Sequence, residues 1–172
     1  HLPSAAAALK APYVTVLIGG PTRGVRFTAA DVDRLGADVD ALARACGASV
    51  LATTSRRSPP ATAARFGAAL TVPAVVHDVA DGGPNPLLAF LGNANRIVVT
   101  ADSASMLSEA AAAGVPVHVF RLAGRRRKFT RLERALADAG IAQPWVADAV
   151  PPPAPIDEAR RLAEIIRRRA GV

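Results

Sequence analysis

Short apolar, β-branched runs alternate with helical stretches along almost the whole chain, and this alternation restricts the fold more than any other feature. Tyr13–Ile18 is such a run and leads into Gly19-Gly20. Residues 28–45 then carry helical spacing, with Val32, Leu35, Val39 and Leu42 on one face. Thr28 stands at the N-cap and Asp31 three residues on, as in a capping box, and Gly47 falls where a left-handed residue ends a helix. The spacing predicts further strands at Ser49–Thr54, Ala74–His77, Arg96–Thr100 and 115–120, and helices at 60–70, 85–93, 104–113, 129–139 and 156–170. Strands that read as continuous apolar runs are buried on both faces, so the expected class is α/β, a Rossmann-like, doubly wound parallel sheet of five strands. Residues 1–12 are expected to be an N-terminal extension, 13–150 one Rossmann-like domain, and 151–172 a proline-stiffened linker with a last amphipathic helix.

At 172 residues and 51% hydrophobic, the chain is long enough to enclose a core and too apolar to be disordered, although 39 of its residues are Ala and only 4% are aromatic. No apolar run approaches the roughly 20 residues that span a bilayer. The single cysteine, Cys46, excludes a disulfide framework and a thiolate-rich zinc or iron–sulfur site, and no other cluster has metal-ligand spacing, so no metal is expected. That usage fits a reducing, cytoplasmic setting. The net charge is +7, with 19 Arg among 21 cations. Arg suits phosphate, yet an Arg- and Ala-rich chain is also what a GC-rich genome encodes, so each charge gains meaning only from its position. The chain opens on His1 rather than Met, which predicts a piece of a longer protein, and residues 2–10 are too short for a signal peptide.

In an open α/β sheet, ligands lie at the carboxyl ends of the strands. The segments expected there are rich in small, hydroxylated and basic residues. Gly19, Gly20, Thr22 and Arg23 follow the first strand; a glycine-rich turn lets backbone N–H groups approach a phosphate, although the spacing is neither G-x-G-x-x-G nor a P-loop. Ser55, Arg56 and Arg57 follow the second, and paired Arg side chains match a diphosphate. Asp102 and Ser103 end the fourth strand and begin a helix whose N–H groups and dipole favour an anion. Ser105 and Glu109 lie on that helix, Glu109 about two turns in, where a carboxylate suits sugar hydroxyls. The same residues also read as a tight turn, a solvated loop and an ordinary N-cap. Arg125, Arg126, Arg127 and Lys128 form a basic run before a helix, open to phosphate, anionic lipid or solvent. Aromatics are too scarce for base stacking along single-stranded nucleic acid. His118 reads as structural, His77 as a candidate site residue, and no Ser/His/Asp spacing suggests a triad.

Several motifs in order carry a resemblance. They are 18–23 (IGGPTR), 53–59 (TTSRRSP), 84–86 (PNP), 98–106 (VVTADSASM), 108–110 (SEA), 114–117 (GVPV) and 127–129 (RKF). From about residue 13 to Trp145 the chain resembles the C-terminal half of the ELM family, named for a plant mitochondrial-fission factor and including many bacterial proteins. That family in turn resembles GT-B glycosyltransferases and the non-hydrolysing UDP-GlcNAc 2-epimerases. The resemblance implies a C-terminal GT-B domain in which Gly19, Gly20 and Thr22 form the loop at a diphosphate, Ser103 and Ser105 donate to it, and Glu109 accepts from ribose. Two departures stand out: Ser103 replaces a common glycine, and His77-Asp78 stands where a Trp-Asp pair is expected.

The expected function is therefore the nucleoside-diphosphate-sugar-binding half of a GT-B-like glycosyltransferase. UDP-sugar or another nucleotide sugar is the ligand rather than a resident cofactor, no catalytic residue is assigned, and a missing N-terminal domain completes catalysis, so the chain alone turns over nothing. A UDP-sugar epimerase shares the site. The other class is a non-catalytic scaffold or recruiter, peripheral to the inner face of a membrane, touching acidic lipid through Arg125, Arg126, Arg127, Lys128 and the Arg-rich last helix.

Overall fold

Six strands form one parallel sheet: β1 (Tyr13–Ile18), β2 (Ser49–Thr54), β3 (Ala74–His77), β4 (Arg96–Thr100), β5 (Val117–Phe120) and β6 (Ala142–Pro144), in the order β3-β2-β1-β4-β5-β6. The computed structural model describes residues 2–124 and 127–145; Arg125, Arg126 and the expected linker and last helix lie outside the described residues. The helices are α1 (Ala29–Cys46), α2 (Thr62–Ala68), α3 (Leu87–Gly92), α4 (Ala104–Ala112) and α5 (Arg127–Asp138). Successive strand side chains point to opposite faces, and both faces are covered. Val14, Val16 and Ile18 of β1 pack with Val32, Leu35 and Val39 of α1 and Phe66 of α2. On the other face Leu17, Ile97, Val99 and Val119 pack with Leu107 of α4 and Phe129 of α5. The class is the α/β, doubly wound sheet expected from the alternation.

The first helix forms as its sequence predicts. Thr28 Oγ1 accepts from the Asp31 amide at 3.2 Å, Asp31 Oδ2 accepts from the Thr28 amide at 2.9 Å, and Gly47 closes the helix at φ 60°. The segment set apart as an N-terminal extension is packed into the body. Ala6 is fully buried against Leu51 and Phe90, and the Lys10 carbonyl accepts from Ser49 Oγ at 2.8 Å.

Several elements differ from expectation. The sheet has a sixth strand, Ala-Gln-Pro, too short and too polar to show a pattern and ending in the proline an edge strand tolerates. The fifth starts at Val117, because Pro116 has no N–H for the ladder, although its carbonyl accepts from the Ile97 amide at 2.9 Å. Prolines at 59, 60, 84 and 86 delay α2 and α3 to Thr62 and Leu87. The fifth helix begins at Arg127, two residues before the expected start at 129.

Candidate functional site

The strand order reverses between β1 and β4, and the loops leaving those strands flank the crevice that a doubly wound sheet opens at its carboxyl edge. Four neighbouring strand ends are joined there by hydrogen bonds. Asp78 Oδ1, after β3, accepts from Thr54 Oγ1 at 2.8 Å, and Thr54 Oγ1 accepts from the Val79 amide at 3.0 Å. Ser58, after β2, donates from Oγ to the carbonyls of Ile18 and Gly19, at 3.1 and 2.6 Å. Its Oγ also accepts from the Ser55 amide at 2.9 Å, which closes the β2 loop on itself. The Gly19 amide donates to Thr100 Oγ1 at 2.8 Å and the Gly20 amide to Asp102 Oδ2 at 3.2 Å, joining the β1 turn to the β4 loop.

Asp102 is the hub. Its side chain is fully buried, and its carboxylate also accepts from Thr100 Oγ1 at 2.6 Å and from Arg57 Nη2 at 2.8 Å. Arg57 leaves nearly half its side chain exposed. The glycines permit this approach: a Cβ at Gly19 would overlap the Asp102 carboxylate, and one at Gly20 would overlap the Arg57 carbonyl. The Gly19 and Gly20 amides, expected to face a phosphate, are thus engaged by the protein's own oxygens.

Beside this hub lies a cleft of about 360 Å³, lined by Leu17, Thr53, Thr54, Ser55, Arg56, Val79, Asn85, Leu87 and Met106. Its aliphatic residues come from β1, α3, α4 and the loop after β3, while hydroxyls and one guanidinium come from the end of β2. Arg56 is exposed and makes no ion pair among the described residues.

The expected site residues divide into groups. Ser55 and Arg56 line the cleft. Gly19, Gly20, Arg57 and Asp102 meet at the hub. Ser103 caps α4, accepting from the Met106 amide at 3.4 Å. Ser105 and Glu109 are exposed one turn apart on α4, bonded to each other at 3.1 Å, and neither lines the cleft. Thr22 sits in a turn bridged to Val25, its hydroxyl buried with no hydrogen-bond partner among the described residues, and Arg23 is exposed beside it. Leu17, Val79, Leu87 and Met106 were missed, since apolar lining carries no chemical signature; Thr53, Thr54, Asn85, Ser58 and Thr100 lie inside quoted motifs but outside the residues chosen. His77 is half-buried in β3. His118 lies in β5 with its ring edge against Trp145, and burial and then the Arg96 charge push its pKa down to about 4, as suits a structural histidine. No group of His, Cys, Asp and Glu suited to a metal occurs among the described residues.

A parallel sheet in this order, with its cleft at the carboxyl edge, is a Rossmann-like, doubly wound domain. The fold is similar to that of the glycotransferase of kitacinnamycin, with TM-score 0.52 and 19% identity over 91% of this chain and 39% of that one. It is also similar to the spinosyn forosaminyltransferase SpnP, with TM-score 0.51 and 17% identity over 96% of this chain and 47% of that one. The MAR1 ribonuclease of Caenorhabditis elegans matches at TM-score 0.50 and 10% identity, over 77% of this chain and 76% of that one. Shape alone therefore does not choose the chemistry. The chain belongs to the mitochondrial fission ELM1 family, whose model matches residues 1–170. It is 31% identical over 137 residues to mitochondrial fission protein ELM1 of Arabidopsis thaliana, covering 80% of this chain but only 32% of that protein.

Proposed function

We propose that this chain is the nucleotide-sugar-binding half of a GT-B-like protein, taking a nucleoside diphosphate sugar into the cleft at the carboxyl edge of the sheet. The cleft carries the reading. Its volume falls within the roughly 300–1,000 Å³ typical of small-molecule sites, and it pairs an aliphatic floor of Leu17, Val79, Leu87 and Met106 with hydroxyls and Arg56. Such a lining suits a nucleoside with its phosphates turned toward the guanidinium. Catalysis would need groups from a second domain, so the chain alone binds and does not turn over, and a UDP-sugar epimerase would use the same cleft. Titration calorimetry with UDP, GDP and their sugars tests this: a saturable heat is expected, and none at millimolar ligand refutes it.

The engagement of the glycine amides by Thr100 and Asp102 favours a second reading, a non-catalytic recruiter on the same fold. Its contact would be the basic run Arg125, Arg126, Arg127 and Lys128 on an acidic membrane surface at the cytoplasmic side. The name of the Arabidopsis relative is consistent with such a role. Co-sedimentation with phosphatidylserine vesicles that vanishes at high salt is its expected sign.

A further inference from the structure

The arrangement around Asp102 has the donor set of an anion site. A backbone amide, a hydroxyl and a guanidinium converge on one carboxylate: Gly20 at 3.2 Å and Arg57 at 2.8 Å on Oδ2, Thr100 at 2.6 Å on Oδ1. Glycine-rich turns offer the same combination to phosphates. Here the anion is covalently part of the chain, has no exposed surface, and lies so close to Gly19 that a Cβ there would overlap it. An external anion at that position would meet a fixed charge of like sign in a low-dielectric setting. Arg56, one residue before Arg57, lines the cleft and has no ion-pair partner among the described residues.

We propose that Asp102 is the rim's built-in anion, filling the place at the glycine turn that a ligand phosphate takes in phosphate-binding turns. It is then a positioning residue that holds the turn and Arg57 without touching ligand, and the phosphates of a ligand fall to Arg56. The assignment of Arg56 rests on the cleft reading above; the role of Asp102 does not.

The test compares the parent chain with Asp102→Ala in sodium formate, against sodium chloride of equal ionic strength. Asp102→Ala is expected to unfold at a lower temperature, and formate to raise its midpoint by several degrees while moving the parent by about one degree or less. A formate response equal in the two chains overturns the proposal. Should the alanine variant not fold, Asp102→Asn keeps the shape and drops the charge. Combined with Arg57→Gln in a double-mutant cycle, the two losses of stability are expected to be clearly non-additive, and additive losses overturn the proposal. In the parent background Arg56→Gln is expected to weaken UDP binding about tenfold; unchanged affinity overturns the assignment of Arg56. A parent that binds no nucleoside diphosphate removes the cleft reading and that assignment together, while the formate comparison still decides the role of Asp102.

Discussion

Gly20 has no room for a methyl group, because its Cα faces the Arg57 carbonyl. Gly20→Ala forces the β1 and β2 loops apart and is expected to destabilise the fold by about 1–3 kcal/mol in denaturant titration; a change within about 0.5 kcal/mol would mean that the loops do not meet so closely. The glycine turn was legible in the sequence as a place where backbone must come close to something. What it approaches was not, since a buried carboxylate 82 positions away makes the contact. His118 gives a pH signature. Its folded pKa of about 4 lies below the ordinary 6.5, so the stability tied to its neutral form is complete above about pH 6.5 and is lost as pH falls toward 4. Unfolding free energies should decline over that window, by about 3 kcal/mol at most, and His118→Phe should flatten the decline.

Elements were readable where local chemistry closed them. Thr28, Asp31 and Gly47 mark both ends of α1 within the sequence itself, and the structure forms the capping box and the left-handed stop. By contrast β6 is held by its neighbour: Trp145 donates its amide to the Val119 carbonyl at 2.8 Å, a partner no local pattern announces. The attachment of α1 to the segment after α2 depends on Asp40. Burial pushes its carboxyl up, but the Thr71 amide and hydroxyl, Arg44 and the Val72 amide together bring it below the usual carboxylate range. Its contribution is therefore present above the ordinary carboxylate pKa and lost as pH falls through the lowered one. At pH 7, Asp40→Asn is expected to destabilise the chain by about 1.5–3 kcal/mol. That loss should shrink below about pH 4, which separates it from the His118 window; a pH-independent loss would contradict a charge-based role.

At the scale of the whole molecule, the alternation of strands and helices made the fold class legible, because parallel strands need crossovers and buried runs need cover on both faces. The strand order did not follow from it. Order sets which loops become neighbours, and so it decided that Ser55 and Arg56 share a cleft with Met106 while Glu109 stays on the outer face of α4. Six of the chosen residues fall into these two groups: the cleft takes Ser55 and Arg56, and the hub takes Gly19, Gly20, Arg57 and Asp102. The chain belongs to the mitochondrial fission ELM1 family and shares its fold with two glycosyltransferases and a ribonuclease, while the match spans only 32% of the Arabidopsis protein. Backbone amide shifts recorded while UDP or GDP is added test the cleft most directly. Binding in the cleft predicts saturable shifts confined to residues 53–56, Val79, Asn85, Leu87 and Met106, with those at Gly19 and Gly20 small; shifts centred on the glycine turn, or none at millimolar nucleotide, would contradict it.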